Sequence, residues 1–259
     1  LQKLTESSQI QFKEFESLFG KALNNIMSGK VARLSLHDNG LLHAQGTVKP
    51  ASWMNAVYNG IPSVQRTGYL VEFNALWYNA LCFYSINCTK NCKLKPRAEE
   101  LIKKIEQSFQ TMFSVDKKTW LYDAVDPQNS FASEAIRPNM LFAVSLPYSP
   151  LSIDKQKDIL DVIEKYLLTP RGLRSLAPNE PEFTGSLFGN QQFRDKHYYN
   201  GTVWPWLFGS FVDAYLKIYK NSGTHFVSSI LKEFDPIMTN NCIGSVSEYF
   251  NGNPPHEGD

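Results

Sequence analysis

Apolar side chains recur along this chain at helical spacing in seven places. Between Ser8 and Ser28, Phe12, Phe15, Phe19, Ala22, Leu23 and Ile26 fall on one stripe, and Gly29 supplies a stop. Between Leu70 and Ile86 the pattern repeats with Phe73, Leu76, Trp77, Ala80, Leu81 and Tyr84. A third predicted helix runs from Pro96 to Phe113, with proline in its tolerated first turn. A fourth, Pro138 to Leu146, is short and apolar; a fifth starts near Ser152, whose hydroxyl can cap it, and ends before Pro170. Trp204 to Tyr219, apolar on nearly all sides, and Thr224 to Met238 complete the set. No run of alternating positions reads convincingly as a strand.

The connections alternate in length. Residues 88–95, 147–151 and 220–223 are short links that force antiparallel neighbours, whereas 30–69, 114–137, 168–203 and 239–259 are long. In an antiparallel array every second connection lies at the same end, so the long segments should gather on one rim. Segments of that length ask for a functional reason. They carry the unusual chemistry: SWMNA, PSVQRTG, YDAVDPQNS, SEAIRPN, RGLRSLAPNEPEFTG, QQFRDKHYYNGTVWPW and GSVSEYFNGNPPHEGD.

Composition narrows the ligand. The net charge of +1 and the lack of a Lys/Arg block exclude a partner held by bulk electrostatics, nucleic acid included. No apolar run is long enough to span a bilayer, and LQKLTESSQI is not a signal peptide, so no membrane is expected and the cytoplasm is the default. Without a secretory signal, the sequons at Asn87 and Asn200 read as chance. Cys82, Cys88 and Cys92 lie near one helix end with Cys242 remote, and His37, His43, His197, His225 and His256 show no ligand spacing. Neither metal nor cofactor is expected. Phosphate-loop and nucleophile-elbow motifs are also missing.

What changes the picture is the aromatic share, 13%. Flat rings suit the C–H faces of sugars, while amides, Arg and carboxylates bond in-plane hydroxyls. A rim holding Trp53, Tyr58, Trp77, Tyr78, Tyr198, Tyr199, Trp204 and Trp206 fits a neutral polyhydroxy ligand. Trp77 and Trp206 also read as helical core residues. Paired carboxylates, the usual requirement of glycosidic bond hydrolysis, then become the chemistry to look for.

ASWMNA, RTGYLVEFNALWYNAL, IRPN with FAVSLP, RGLRSLAP, GTVWPW and GSVSEYFNGNPPH occur in that order from about Asp38 to His256. Together they resemble the C-terminal glucosidase domain of glycogen debranching enzymes, the amylo-α-1,6-glucosidase family. The resemblance implies an all-α, (α/α)6 toroid of which this chain, with about seven helices of twelve, is an incomplete portion forming one domain. It implies release of an α-1,6-linked glucose stub from a branched α-glucan, glycogen or its limit dextrin, with inversion. An acid protonates the departing oxygen while a carboxylate base activates water.

The matching base is Glu248, and Asn55 stands where the family carries its acid. The sugar-binding set implied is Trp53, Arg66, Glu72, Asn74, Trp77, Tyr78, Arg137, Asn139, Arg171, Tyr199 and Trp204. Arg137 and Arg171 also read as loop bridges or helix caps, Asn74 and Asn79 as helix-surface polars, and Glu72 as a rim residue that positions sugar or Arg66. Glu182 and Asp195 read as solvated. Tyr199 stands where relatives usually carry histidine, and FNGN, with Asn251 and Asn253, where FDGD is common. An introduced Asp→Asn change, natural loss of activity, or another acid, with Asp38 or Glu72 nearest in sequence, would each account for Asn55. A non-catalytic α-glucan-binding toroid and a helical protein-interaction domain are the alternatives to a hydrolase.

Overall fold

Phe12 and Phe19 of helix α1 (Phe12–Met27) meet Phe83 of α2 (Val71–Asn87) edge to face, at centroid distances of 5.2 and 6.0 Å. The computed structural model describes residues 11–89, 92–239 and 243–258. The expected helix start at Ser8 and Cys242 lie outside those residues. Gly29, with φ +67°, takes the left-handed conformation that ends α1, where a side chain would be strained. Helix α2 is buried on most of its surface because α1, α3 (Lys95–Phe113) and α4 (Phe142–Ser145) all pack on it. Helix α3 shows the opposite pattern: Ala98, Leu101, Ile105, Phe109 and Phe113 form one buried stripe and the remainder faces water.

The C-terminal half continues with α5 (Ile153–Tyr166), whose first turn is capped by Ser152 Oγ accepting from Lys155 N at 3.3 Å. Helix α6 (Gln191–His197) is capped by Asn190 Oδ1, which accepts from Phe193 N at 3.0 Å. Helices α7 (Phe208–Tyr219) and α8 (Thr224–Lys232) close the order. The expected sixth helix starts four residues late: Pro205–Leu207 is a 3-10 turn, and Trp204 belongs to a strand. The main apolar cluster draws on residues from Phe12 to Ala214.

The all-α expectation is overturned by three antiparallel sheets among the described residues. The long connections supply them. β1 (Leu34–Leu36), β2 (Leu42–Ala44), the hairpin β3 (Val57–Tyr58)–β4 (Ile61–Pro62) and β5 (Gly68–Leu70) come from the first; β6 (Ala124–Asp126) and β7 (Phe131–Ser133) come from the second. A five-stranded sheet of order β1-β2-β5-β6-β7 stitches the two together. In the third connection β8 (Leu168–Thr169), β9 (Gly172–Arg174) and β10 (Val203–Trp204) form a three-stranded sheet. Val203 also bridges Phe250 of the terminal segment. The cause is backbone accounting: segments this long, partly buried, must pair their N–H and C=O groups, and do so with one another. Among the described residues no helix is long and apolar enough to cross a membrane.

Candidate functional site

The four long connections meet around one aromatic cluster. Trp53 stands at its centre, with ring centroids 5.3 Å from Tyr199, 5.4 Å from Trp204 and 5.1 Å from Trp206, each near perpendicular. Tyr199 stacks on Trp204 at 5.2 Å, and Tyr198 is edge-on to both Tyr199 and Tyr249 at 5.3 Å. Trp204 is buried, with Nε1 donating to Thr202 Oγ1 at 3.0 Å, whereas Trp206 is 48% exposed. The sequence alone leaves Trp206 readable as core; the 3-10 turn at Pro205–Leu207 is what turns it outward.

Beneath the cluster lies a buried polar chain. Arg66 is bidentate to Glu72 at 2.6 and 2.7 Å, donates from Nε to Asp123 Oδ2 at 2.7 Å, and reaches Ser52 Oγ at 2.9 Å. Burial alone would push this guanidinium down, but Asp123 and Glu72 outweigh it and hold Arg66 above its ordinary value. Asp123 also accepts from Asn139 Nδ2 at 2.7 Å, and Asn139 Oδ1 accepts from Trp53 Nε1 at 2.7 Å. The chain Glu72–Arg66–Asp123–Asn139–Trp53 thus fixes the indole at the cluster's centre. Glu72 is spent on Arg66, and Arg66 on Glu72 and on Asp123, a residue the sequence reading did not single out.

Arg137 is also buried and serves backbone, donating to Ser175 O at 3.0 Å and Tyr199 O at 2.8 Å. Burial pushes it below its ordinary value, against the pull of Asp123. Three further candidates on α2 are committed elsewhere. Asn74, fully buried, accepts from Leu42 N and donates to Leu42 O and Leu70 O, pinning β2 to the helix. Trp77 donates to Gly40 O at 3.2 Å, and Tyr78 to Glu106 Oε1 at 2.8 Å, both at buried positions. Among the described residues no group of three His, Cys, Asp or Glu could hold a metal ion.

Of the two positions that would carry the chemistry, one is bonded to Tyr199 and the other bears on it by its charge. Asn55 is exposed, and Tyr199 Oη donates to its Oδ1 at 2.8 Å and to Trp53 O at 2.9 Å. Tyr199 is 2% exposed; burial pushes its phenol up to about 12, and the charge of Glu248 adds to that push against the hydrogen bonding at position 55. Glu248 is exposed and lines a groove of about 730 Å³ with Trp206, Phe208, Val212 and Asp213. Arg171 lines an adjoining groove with Ser247 and His256, and its guanidinium donates to Glu233 O.

The segment bearing Glu248 is held by main chain. Phe250 and Val203 exchange N–H···O bonds at 2.8 and 2.9 Å, Arg174 Nε donates to Gly252 O at 2.9 Å, and Gly252 N donates to Gly185 O. Asn251 Oδ1 accepts from Leu187 N at 3.3 Å, and Asn253 Nδ2 donates to Thr184 O at 3.4 Å. A Cβ on Gly252 would sit 1.9 Å from Gly201 O. Gly252→Ala must therefore push the terminal segment off Gly201, at a cost of about 1–3 kcal/mol in thermal or urea unfolding.

A model of the amylo-alpha-1,6-glucosidase family matches residues 3–259. Among solved structures, an uncharacterized conserved protein from Thermus thermophilus superposes with a TM-score of 0.54 at 13% identity, over 75% of this chain and 44% of that one. A GH63 mannosylglycerate hydrolase from the same organism, in complex with glucose, gives 0.51 at 14% identity, over 73% and 43%. The neutral trehalase Nth1 from Saccharomyces cerevisiae gives 0.51 at 12%, over 71% and 34%. At these identities the likeness is one of fold, and this chain spans less than half the length of each.

Proposed function

Because this chain belongs to the amylo-alpha-1,6-glucosidase family, and is a domain of glycoside-hydrolase type, we propose that its aromatic cluster grips the α-1,6-linked glucose end of a branched α-glucan. In this reading Glu248 is the general base. It takes a proton from a water whose oxygen then bonds to the anomeric carbon from the face opposite the departing oxygen. Breaking the glycosidic bond leaves an alkoxide-like oxygen that needs a proton, and position 55 is where it would come from. The Asn55 amide can donate a hydrogen bond but no proton at neutral pH. Binding is retained and turnover is crippled.

What supports this reading is that Tyr199 holds Asn55 by a hydrogen bond and also feels the charge of Glu248, although the two lie in the first and last long connections. Both are exposed beside a cluster of three tryptophans, the surroundings a polar, flat-faced ligand requires. The Asn55 amide favours a second reading within the same site, a module that holds glucan ends without cleaving them. The readings share one test of binding. Titration calorimetry with a branched limit dextrin should show heat of binding for the native chain, little change for Glu248→Gln, and at least a tenfold loss for Trp53→Ala. Equal affinity in native chain and Trp53→Ala would remove the cluster from the binding site.

A further inference from the structure

We propose that Tyr199 is a positioning residue that sets which chemical group position 55 can usefully carry: its hydroxyl holds the Asn55 amide with the oxygen inward and Nδ2 offered to the ligand, and it would hold a carboxyl there in the ionised form. This rests on the reading of Asn55 as the acid position. The geometry that carries it is the pair of hydrogen bonds from Tyr199 Oη, 2.8 Å to Asn55 Oδ1 and 2.9 Å to Trp53 O. Both partners accept, and a neutral phenol has one proton to share between them.

The tyrosine cannot turn away to release position 55. Its ring is enclosed by Trp204, Trp53 and Tyr198, at centroid distances of 5.2 to 5.3 Å, and its carbonyl is held by Arg137 at 2.8 Å. With its phenol pushed up to about 12, chiefly by burial, it remains a donor at any working pH. A donor aimed at a carboxyl oxygen favours the carboxylate over the acid. A general acid has to be protonated when substrate arrives, so a tyrosine donor here opposes acid catalysis by aspartate. With an amide the same donor has a different effect: it suppresses the flipped rotamer and fixes an N–H toward a bound glycosidic oxygen. Asn55 and Tyr199 thus form one unit adapted to holding rather than cleaving.

The test is the titration of a carboxyl placed at position 55. In Asn55→Asp labelled with ¹³C at aspartate carboxyls, the resonance of residue 55 gives its pKa directly; the same is measured in Asn55→Asp with Tyr199→Phe. Losing one charge-assisted hydrogen bond should raise that pKa by about one to two pH units. The other ionisable groups bearing on Tyr199 are Tyr198 and Glu248, with Arg137 on its carbonyl. All three are common to both variants, so the difference reports the hydroxyl. Phenylalanine keeps the stacked ring, and matching thermal melts of the two variants verify the fold.

An unchanged or lowered pKa in the double variant would overturn the proposal. A titration shift alongside no glucose release from branched dextrin at any pH would sink the acid-position reading but leave the clamp standing. Glucose release without a titration shift would do the reverse. In the native background, Tyr199→Phe should weaken binding of branched limit dextrin about tenfold by freeing the amide, and equal affinity counts against the clamp.

Discussion

Replacing Asn55 by aspartate should raise the rate of glucose release from a branched limit dextrin by about a hundred- to ten-thousandfold, the range that general acid assistance supplies. The reason is local. Water activation by Glu248 is already provided for on this account, and the missing contribution is a proton for the departing oxygen. Aspartate is nearly isosteric with asparagine, so the exposed position 55 accepts it without repacking. The gain should be greatest at acidic pH and fall as pH rises through the pKa of the new carboxyl, because only its protonated form serves. Removing the Tyr199 hydroxyl should move that fall to higher pH. Binding should change little where the new carboxyl is protonated and still offers a donor, and should weaken above its pKa, where the carboxylate offers the glycosidic oxygen only acceptors. A rate indistinguishable from the parent across the pH range would take position 55 out of the reaction.

Arg66→Met should cost about 3–5 kcal/mol of folding stability, read as a lowered urea midpoint at unchanged slope. Arg66, Glu72 and Asp123 are each 3% exposed, and the guanidinium is the cation that pairs with both carboxylates. Without it two buried anions face one another with no cation between them. Function should suffer as well, since Asp123 also holds Asn139, which holds the Trp53 indole. A loss below about 1 kcal/mol would mean that the pair is solvated in solution and that the indole is positioned by ring packing alone.

Much of the helical frame was legible in the sequence because long amphipathic stripes leave a 3.6-residue signature. The α3 stripe, the Ser152 cap and the Gly29 stop could each be read from residue type and spacing. The sheets could not be read that way, because among the described residues no strand exceeds three residues, too short for alternation to register. Their pairing is settled by segments distant in sequence. One signal was there and was passed over: Asn59–Gly60, with φ of 51° and 80°, is the turn dipeptide of the β3–β4 hairpin. Helix α6 buries none of its residues, so it left no apolar stripe, and only its Asn190 cap marked it.

Within the candidate site, the motifs named polar residues without separating exposed ones such as Asn55 and Glu248 from buried ones such as Asn74 and Arg66. Asn74, Glu72 and Arg66 look alike on paper whether they meet a sugar or the protein's own groups. Asp123 escaped notice because a carboxylate in a long polar connection usually reads as solvated. The demand of buried Arg66 for a second counter-ion, across two connections, is what gives it a role. The meeting of Asn55, Tyr199 and Trp53 likewise depends on how the connections cross, and single-sequence spacing holds no record of that.

The most direct measurement is a crystal structure of the chain soaked with a short α-1,6-branched glucan. The account predicts a glucose ring against the tryptophan cluster, its glycosidic oxygen within hydrogen-bond distance of Asn55 Nδ2, and the Glu248 carboxylate on the opposite face of the anomeric carbon. Sugar density confined to the Arg171–His256 groove, with the Trp53 cluster bare, would contradict it.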